Sequence, residues 1–154
     1  MVCMASAQQS TFHWMLRRTN LAILLGPTGA SLASCVALEE LRITVLYPKH
    51  LVTILGEIFP TLSNTAKLSR IVLDVDWSAP EEEDIDKVTW RSLDKTMSEY
   101  AEKISGMHQH RRLTLAFRTN GVGATGEHDG WARDLVRLLV YFPKVGDVEY
   151  ILKH

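Results

Sequence analysis

The chain has few of the features that define the commoner classes of small protein. It contains two cysteines, Cys3 and Cys35, too few for a disulfide framework or for a zinc site with paired ligands. The longest apolar run near the start, Leu21–Leu25, has five residues, whereas a membrane helix needs about 20. Gly26-Pro27 ends this run, so we predict neither a membrane span nor a secretion signal. We expect an intracellular protein, in the cytoplasm or the nucleus, with free thiols.

Net charge is also nearly absent. The chain has 17 Lys and Arg residues against 18 Asp and Glu residues, which gives a formal net charge of −1. Such a balance creates no broad attraction to nucleic acid or to anionic lipid, so we expect neither a nucleic-acid nor a membrane partner. With 46% apolar residues the composition is that of a folded protein. The 154 residues suit one domain over residues 16–154, preceded by a poorly ordered segment over residues 1–15.

A strand-sized apolar pattern recurs along the chain. In each copy, Leu, Ile or Val residues alternate with other residues, as half-buried strands require, because alternate side chains face opposite sides of a sheet. The copies are, in chain order, a weak one at Leu21–Leu25 and then Leu38–Val45, Leu68–Val75, Arg112–Phe117 and Val145–Leu152.

Between these copies, apolar residues repeat at helical spacing and predict three helices. The first covers residues 51–59 and ends at Pro60, and the second covers residues 90–104 with Gly106 as its stop. The third covers residues 131–142 and ends at Pro143. The predicted order is β-α-β-α-β-α-β, which is typical of parallel strands joined by helical crossovers.

The interval between copies varies, so the unit repeats in architecture rather than in length. Counted between Leu21, Leu41, Ile71, Leu113 and Val148, the intervals are 20, 30, 42 and 35 residues. Leucine-rich repeats have units of 20–29 residues. We therefore predict an α/β fold of irregular β-α repeats, favouring a short, curved solenoid like that of leucine-rich-repeat proteins. The alternative is a small open parallel α/β sheet.

Four of these motifs together resemble a known family. They are Leu38-Glu-Glu-Leu41-Arg-Ile43, Leu68-Ser-Arg-Ile71-Val-Leu73, Trp90-Arg-Ser-Leu93-Asp94 and Arg112-Leu113-Thr-Leu115-Ala-Phe117-Arg118. Over about residues 20–154 the chain resembles the C-terminal repeat region of F-box proteins with leucine-rich repeats from mushroom-forming fungi, which are basidiomycetes. The resemblance implies a repeat region that recruits a target protein to a cullin ubiquitin ligase.

The resemblance does not extend to the F-box itself. Family members carry an N-terminal helical motif that docks on the Skp1 adaptor of the ligase. Residues 1–40 contain no Leu-Pro-x-Glu-type opening followed by paired apolar helices. The missing motif puts direct contact with Skp1 in doubt, and no individual target-binding residue carries over from the family.

Several local patterns could carry chemistry. The turn Gly26–Ser31 lacks the Lys of a phosphate-binding loop and the third glycine of a dinucleotide site, and Gly121–Gly126 has the composition of a loop. His108 and His110 have no third ligand at metal-site spacing. Asp74 and Asp76 follow a strand and could present two carboxylates on one face, but we expect them to be solvated.

We therefore predict a non-enzymatic protein-interaction module with an unknown protein target. We assign it no catalytic, cofactor-binding or metal-binding residues and expect no cofactor. Two alternatives remain open. One is a small nucleotide-binding α/β protein that uses the Gly26–Ser31 turn, and the other is a truncated product with no independent role.

Overall fold

A computed structural model describes residues 11–15, 39–45, 48–60, 68–75, 85–107, 111–119 and 130–153. Their elements are, in chain order, β1 (Thr11–Met15), β2 (Glu40–Val45), α1 (Pro48–Ile58), β3 (Arg70–Val75), α2 (Lys87–Met107), β4 (Thr114–Thr119), α3 (Gly130–Leu138), α4 (Phe142–Val145) and β5 (Asp147–Leu152). The alternation predicted from the sequence is confirmed from β2 onward.

The strands form one five-stranded sheet in the order β1-β2-β3-β4-β5. Every neighbouring pair is parallel. When parallel strands follow one another across a sheet in chain order, and all their crossovers have the same hand, the connecting helices lie on one face. The fold is therefore α/β, with an open, all-parallel sheet.

The strand register corrects one equivalence drawn from the sequence. Ile71 pairs with Leu115, and Leu115 pairs with Val148, so Leu113 is not the equivalent position. The strand β1 was missed, because it lies within the segment over residues 1–15 that we expected to be poorly ordered. The weak candidate strand Leu21–Leu25 lies outside the described residues.

One apolar core joins the helices to one face of the sheet. Alternate strand residues are almost fully buried in it, namely Leu41, Ile43, Val45, Ile71, Leu73, Val75, Leu115 and Phe117. The helices contribute residues at helical spacing, namely Leu51, Ile54, Leu55, Ile58, Trp90, Leu93, Met97 and Leu135. The strand period of two and the helix period of about 3.6 residues both direct apolar side chains into this layer. We call it the helix side of the sheet.

Among the elements described, helix α2 is the longest, with 21 residues. Asp86 precedes it and accepts hydrogen bonds from the backbone N–H groups of Val88 and Thr89 at 3.0 and 3.3 Å, as a capping residue does. The Thr89 hydroxyl also donates to this carboxylate. These hydrogen bonds, led by that of the Thr89 side chain, hold the pKa of Asp86 below its ordinary value.

The third predicted helix is interrupted. It divides into α3 and α4, with residues 139–141 between them outside any helix. The carboxylate of Asp94 accepts the backbone N–H groups of Val140, Tyr141 and Phe142 at 2.7, 3.0 and 2.8 Å. The Asp94 side chain on α2 therefore accepts hydrogen bonds from backbone N–H groups that would bond within the helix if α3 and α4 were continuous.

Gly146 makes the tight passage from α4 into β5. A Cβ atom at this position would overlap the Phe142 ring and would lie 2.8 Å from the carbonyl oxygen of Leu113. Only glycine fits without moving the backbone of the neighbouring strand. Among the helices described, none is long and apolar enough to cross a membrane.

Candidate functional site

The second face of the sheet, which we call the polar face, carries the charged side chains of the strands. Because side chains alternate, the residues between the core positions point to this face. From β2 to β5 these residues are Glu40, Arg42, Thr44, Arg70, Val72, Asp74, Thr114, Ala116, Arg118, Asp147, Glu149 and Ile151. Val72 and Ala116 are buried yet lie outside the apolar core cluster. The sheet therefore has one apolar layer and one layer rich in charge.

An ion pair crosses the polar face near the amino ends of the strands. Arg70 on β3 donates from Nη2 to Oε2 of Glu149 on β5 at 2.9 Å, passing over β4. The register places Thr114 beside Arg70 and Ala116 beside Glu149. Their small side chains leave room for the guanidinium to span two strand spacings, which is about 9.6 Å.

A second charge cluster surrounds Asp74 at the carboxyl end of β3. Its side chain is only 8% exposed. Lys153 Nζ lies 2.6 Å from Asp74 Oδ1 and also donates to the carbonyl oxygen of Val75 at 3.2 Å. Arg118, the cross-strand neighbour of Asp74, approaches it to 3.9 Å. One buried carboxylate therefore pairs with two cations, one on β4 and one directly after β5.

The remaining charges of this face also pair with one another. Arg42 donates to Glu40 on the same strand at 3.2 Å. Arg112, which precedes β4, lies 3.0 Å from Asp147 and donates to the carbonyl oxygen of Gly146 at 2.9 Å. The side chain of Arg42 is 34% exposed and that of Glu149 is 49% exposed. The face thus presents paired charges of both signs that solvent can reach.

An open cleft of about 580 Å³ lies near the amino end of β4. Its lining comes from α2, α4 and Arg112, and consists of Glu102, Ser105, Arg112, Lys144 and Val145. Lys144 lies 5.6 Å from the centre of the Tyr141 ring. Arg112 is already bound to Asp147 and Gly146, and the other polar residues of the lining are Glu102, Ser105 and Lys144.

The structure corrects one expectation about the motifs. Asp74 is buried and ion-paired rather than solvated. Its proposed companion Asp76 lies outside the described residues, as do Gly26–Ser31, Gly121–Gly126, His108 and His110. Among the residues that the structure describes, no three His, Cys, Asp or Glu side chains come together as metal ligands would.

Apart from Asp74, the charged positions of the strands were not singled out in the sequence, although the pattern that locates them was present. In Leu41-Arg-Ile43 and in Leu73-Asp-Val75, the residue between two core positions must face away from the core. Period-two alternation is therefore sufficient by itself to assign Arg42 and Asp74 to the polar face.

The chain was compared with protein-family models, with curated proteins and with solved structures, and none of the three comparisons finds a match.

Proposed function

We propose that the chain is a non-enzymatic protein-interaction module that binds its target on the polar face of the sheet. The observation that supports this function is the set of ion pairs that join strands across this face, above all Arg70 with Glu149 over β4. Such pairs hold long side chains in fixed positions. A partner then meets charges that are already arranged, so fewer side chains are immobilised on binding.

The mixture of signs favours a protein over a polyanion as the partner. Acidic and basic side chains alternate on the polar face, as Glu40 with Arg42 and Asp74 with Arg118 illustrate. A nucleic acid needs a concentration of positive charge. Complementary charges of both signs steer protein partners and exclude wrong ones.

The architecture that we propose for this module is a short solenoid like that of leucine-rich-repeat proteins. Its support is the sequential order of the parallel strands, with the helices on one side. Repeat proteins of this kind bind through the extended surface that their stacked units create. We extend the proposal to the substrate-recognition role that the F-box resemblance implies.

The test is affinity capture from the native cell lysate with two matched double variants. Arg42→Ser with Arg118→Ser removes two positive charges from the polar face. Arg91→Ser with Lys95→Ser removes two from exposed positions of α2. We expect a partner that is retained by the wild type and by the α2 variant, and is bound at least about tenfold more weakly by the polar-face variant.

A partner that both variants retain equally would contradict binding on this face. Purified Skp1 serves as a separate probe of the ligase role. Binding of Skp1 by the wild-type chain would support the F-box assignment, whereas capture of another target without Skp1 would place the module outside the ubiquitin system.

A further inference from the structure

The last strand of the sheet, β5, has one side that no described residue pairs with. It lies at the end of the strand order, next to β4 alone. The N–H groups of Asp147 and Lys153 donate to the carbonyl oxygens of Leu113 and Thr119, at 3.0 and 2.6 Å, on the β4 side. Alternation then directs the N–H and C=O groups of Val148, Tyr150 and Leu152 outward, toward the free edge.

The side chains of these same three residues form an apolar row on the helix side of the sheet. Val148 is half-buried, while Tyr150 and Leu152 are each 48% exposed. The row continues the core rows of β4, since Val148 is paired with Leu115 and Tyr150 with Phe117. An edge strand with open hydrogen-bonding groups and exposed apolar side chains is a template for another strand.

Residues 147–153, which are β5 and Lys153, have the sequence Asp-Val-Glu-Tyr-Ile-Leu-Lys. In this segment the apolar residues of the helix side and the opposite end charges are placed symmetrically about Tyr150. In an antiparallel pair centred there, Val148 lies opposite Leu152 of the partner subunit, and Tyr150 lies opposite its own copy. Asp147 lies opposite Lys153 of the partner subunit. On the helix side apolar residues thus meet apolar residues, and opposite charges meet at both ends. On the polar face Glu149 lies opposite Ile151 of the partner subunit.

This arrangement is also one that the backbone permits. Residues that face outward on one strand must lie opposite outward-facing residues of the other, where each pair exchanges two hydrogen bonds. Centring on Tyr150 satisfies this condition for all three outward residues. Centring on Glu149 or on Ile151 would also bring outward residues together, but only two of the three would find partners within the strand. Centring on Glu149 would in addition place that carboxylate directly against its own copy, which is destabilising.

We propose that two copies of this chain associate through β5 in antiparallel register about Tyr150, which joins their sheets into one. The contact is isologous, because the same strand serves both subunits around a twofold axis. At each end the partner's Asp147 meets the cluster of Lys153 and Asp74. The association is reversible and depends on concentration, because a single strand pair buries much less than a standard interface of about 1,600 Å².

The first test measures the molar mass of the purified full chain by sedimentation over a concentration series. Tyr150→Lys puts two like charges at the twofold axis and should weaken the dimer about tenfold or more. Tyr141→Lys is the matched control, since Tyr141 is 50% exposed but lies between α3 and α4. A wild type that stays monomeric at its highest soluble concentration, or a dimer that Tyr150→Lys leaves unchanged, overturns the proposal.

A second measurement remains decisive even if Tyr150→Lys disturbs its contact with the Phe117 ring. With Cys3 and Cys35 replaced by serine, Tyr150→Cys places two thiols on opposing residues about 5.5 Å apart at Cα, within disulfide range. We expect a disulfide-linked dimer under mild oxidation. Val88→Cys, at a 79% exposed site on α2, is the control. Equal cross-linking of the two variants, or no cross-linking of the Tyr150→Cys variant, overturns this register.

Discussion

The two faces of the sheet differ in what holds their side chains. On the helix side, residues such as Leu41, Leu73 and Phe117 are completely buried among apolar neighbours. On the polar face, charged residues such as Arg70 and Glu149 are more than one-third exposed and bind through ion pairs. Both faces belong to the same strands, so residue type alternates along each strand with a period of two.

The difference indicates where the stability of the fold resides. Full burial of a Leu, Ile or Phe side chain contributes about 1.5–3 kcal/mol, while an ion pair between exposed groups contributes about 0–1 kcal/mol. The helix side therefore supplies most of the free energy of folding. The exposed charged residues of the polar face can therefore change at little cost to folding, which suits a surface that recognises a partner.

Trp90 should show the largest effect on the helix side. It is fully buried, and its indole Nε1 donates to the carbonyl oxygen of Leu135 at 2.9 Å. Trp90→Ala leaves a cavity and should lower the free energy of unfolding by about 3–5 kcal/mol, measured by urea denaturation. Trp90→Phe keeps most of the apolar contact and should lose only about 1–2 kcal/mol. Equal losses in the two variants would mean that the hydrogen bond outweighs the burial.

Asp94 is a charged exception on the helix side and should show the next largest effect. It is 1% exposed and binds the backbone N–H groups of residues 140–142. Asp94→Ala leaves these donors without an acceptor and should cost about 2–3 kcal/mol in the same denaturation measurement. Asp134→Ala, which removes a 65% exposed carboxylate from α3, is the control and should change stability by less than about 0.5 kcal/mol. Similar losses in both variants would contradict the role of Asp94 as the anchor of the α3–α4 connection.

The sequence predicted the helix side far better than the polar face. Periodicity alone placed Leu41 and Ile71 in strands and Trp90 in a helix, and all three are buried in the structure, because burial depends mainly on spacing within one element. The pairing of Arg70 with Glu149 joins residues 79 positions apart. It depends on strand order and on the small residues of β4, neither of which spacing within one element reveals.

The interruption between α3 and α4 could not be predicted for a similar reason. The apolar pattern over residues 131–142 fits one helix, and Trp131, Leu135 and Phe142 are indeed buried. The residue that divides this helix is Asp94, on a different element. Its place in the motif Trp90-Arg-Ser-Leu93-Asp94 contributed to the family resemblance, but the motif does not show what the carboxylate binds.

Within the polar face, the pairing of Asp74 with Lys153 should be stronger than that of Arg70 with Glu149. The Asp74 side chain is 8% exposed, whereas the Glu149 side chain is 49% exposed. We expect a double-mutant cycle with Asp74→Asn and Lys153→Met to give a coupling energy of about 1–3 kcal/mol. The cycle with Glu149→Gln and Arg70→Met should give less than about 1 kcal/mol and should weaken further in added salt. Equal coupling energies at low salt would show that the greater burial of Asp74 does not make its ion pair stronger.

His50 should give the smallest effect, and it tests whether the helix side is independent of pH. It is half-buried in α1, and desolvation, followed by the charge of Lys49, lowers its pKa from 6.5. The folded state thus binds a proton less readily than the unfolded state, so stability is full above about pH 6.5 and falls as the pH drops through the lowered folded pKa.

Lowering the pH from 7.5 to 5 should therefore reduce the free energy of unfolding of the wild type more than that of His50→Gln, because only the wild type has this group to protonate. Lys49→Gln removes the second cause of the lowered pKa and should reduce the shift without abolishing it. Denaturation curves for the three proteins at both pH values measure the effect. A difference between the wild type and His50→Gln that does not change with pH would show that His50 titrates alike in both states, and would leave the helix side without a pH-sensitive group at this position.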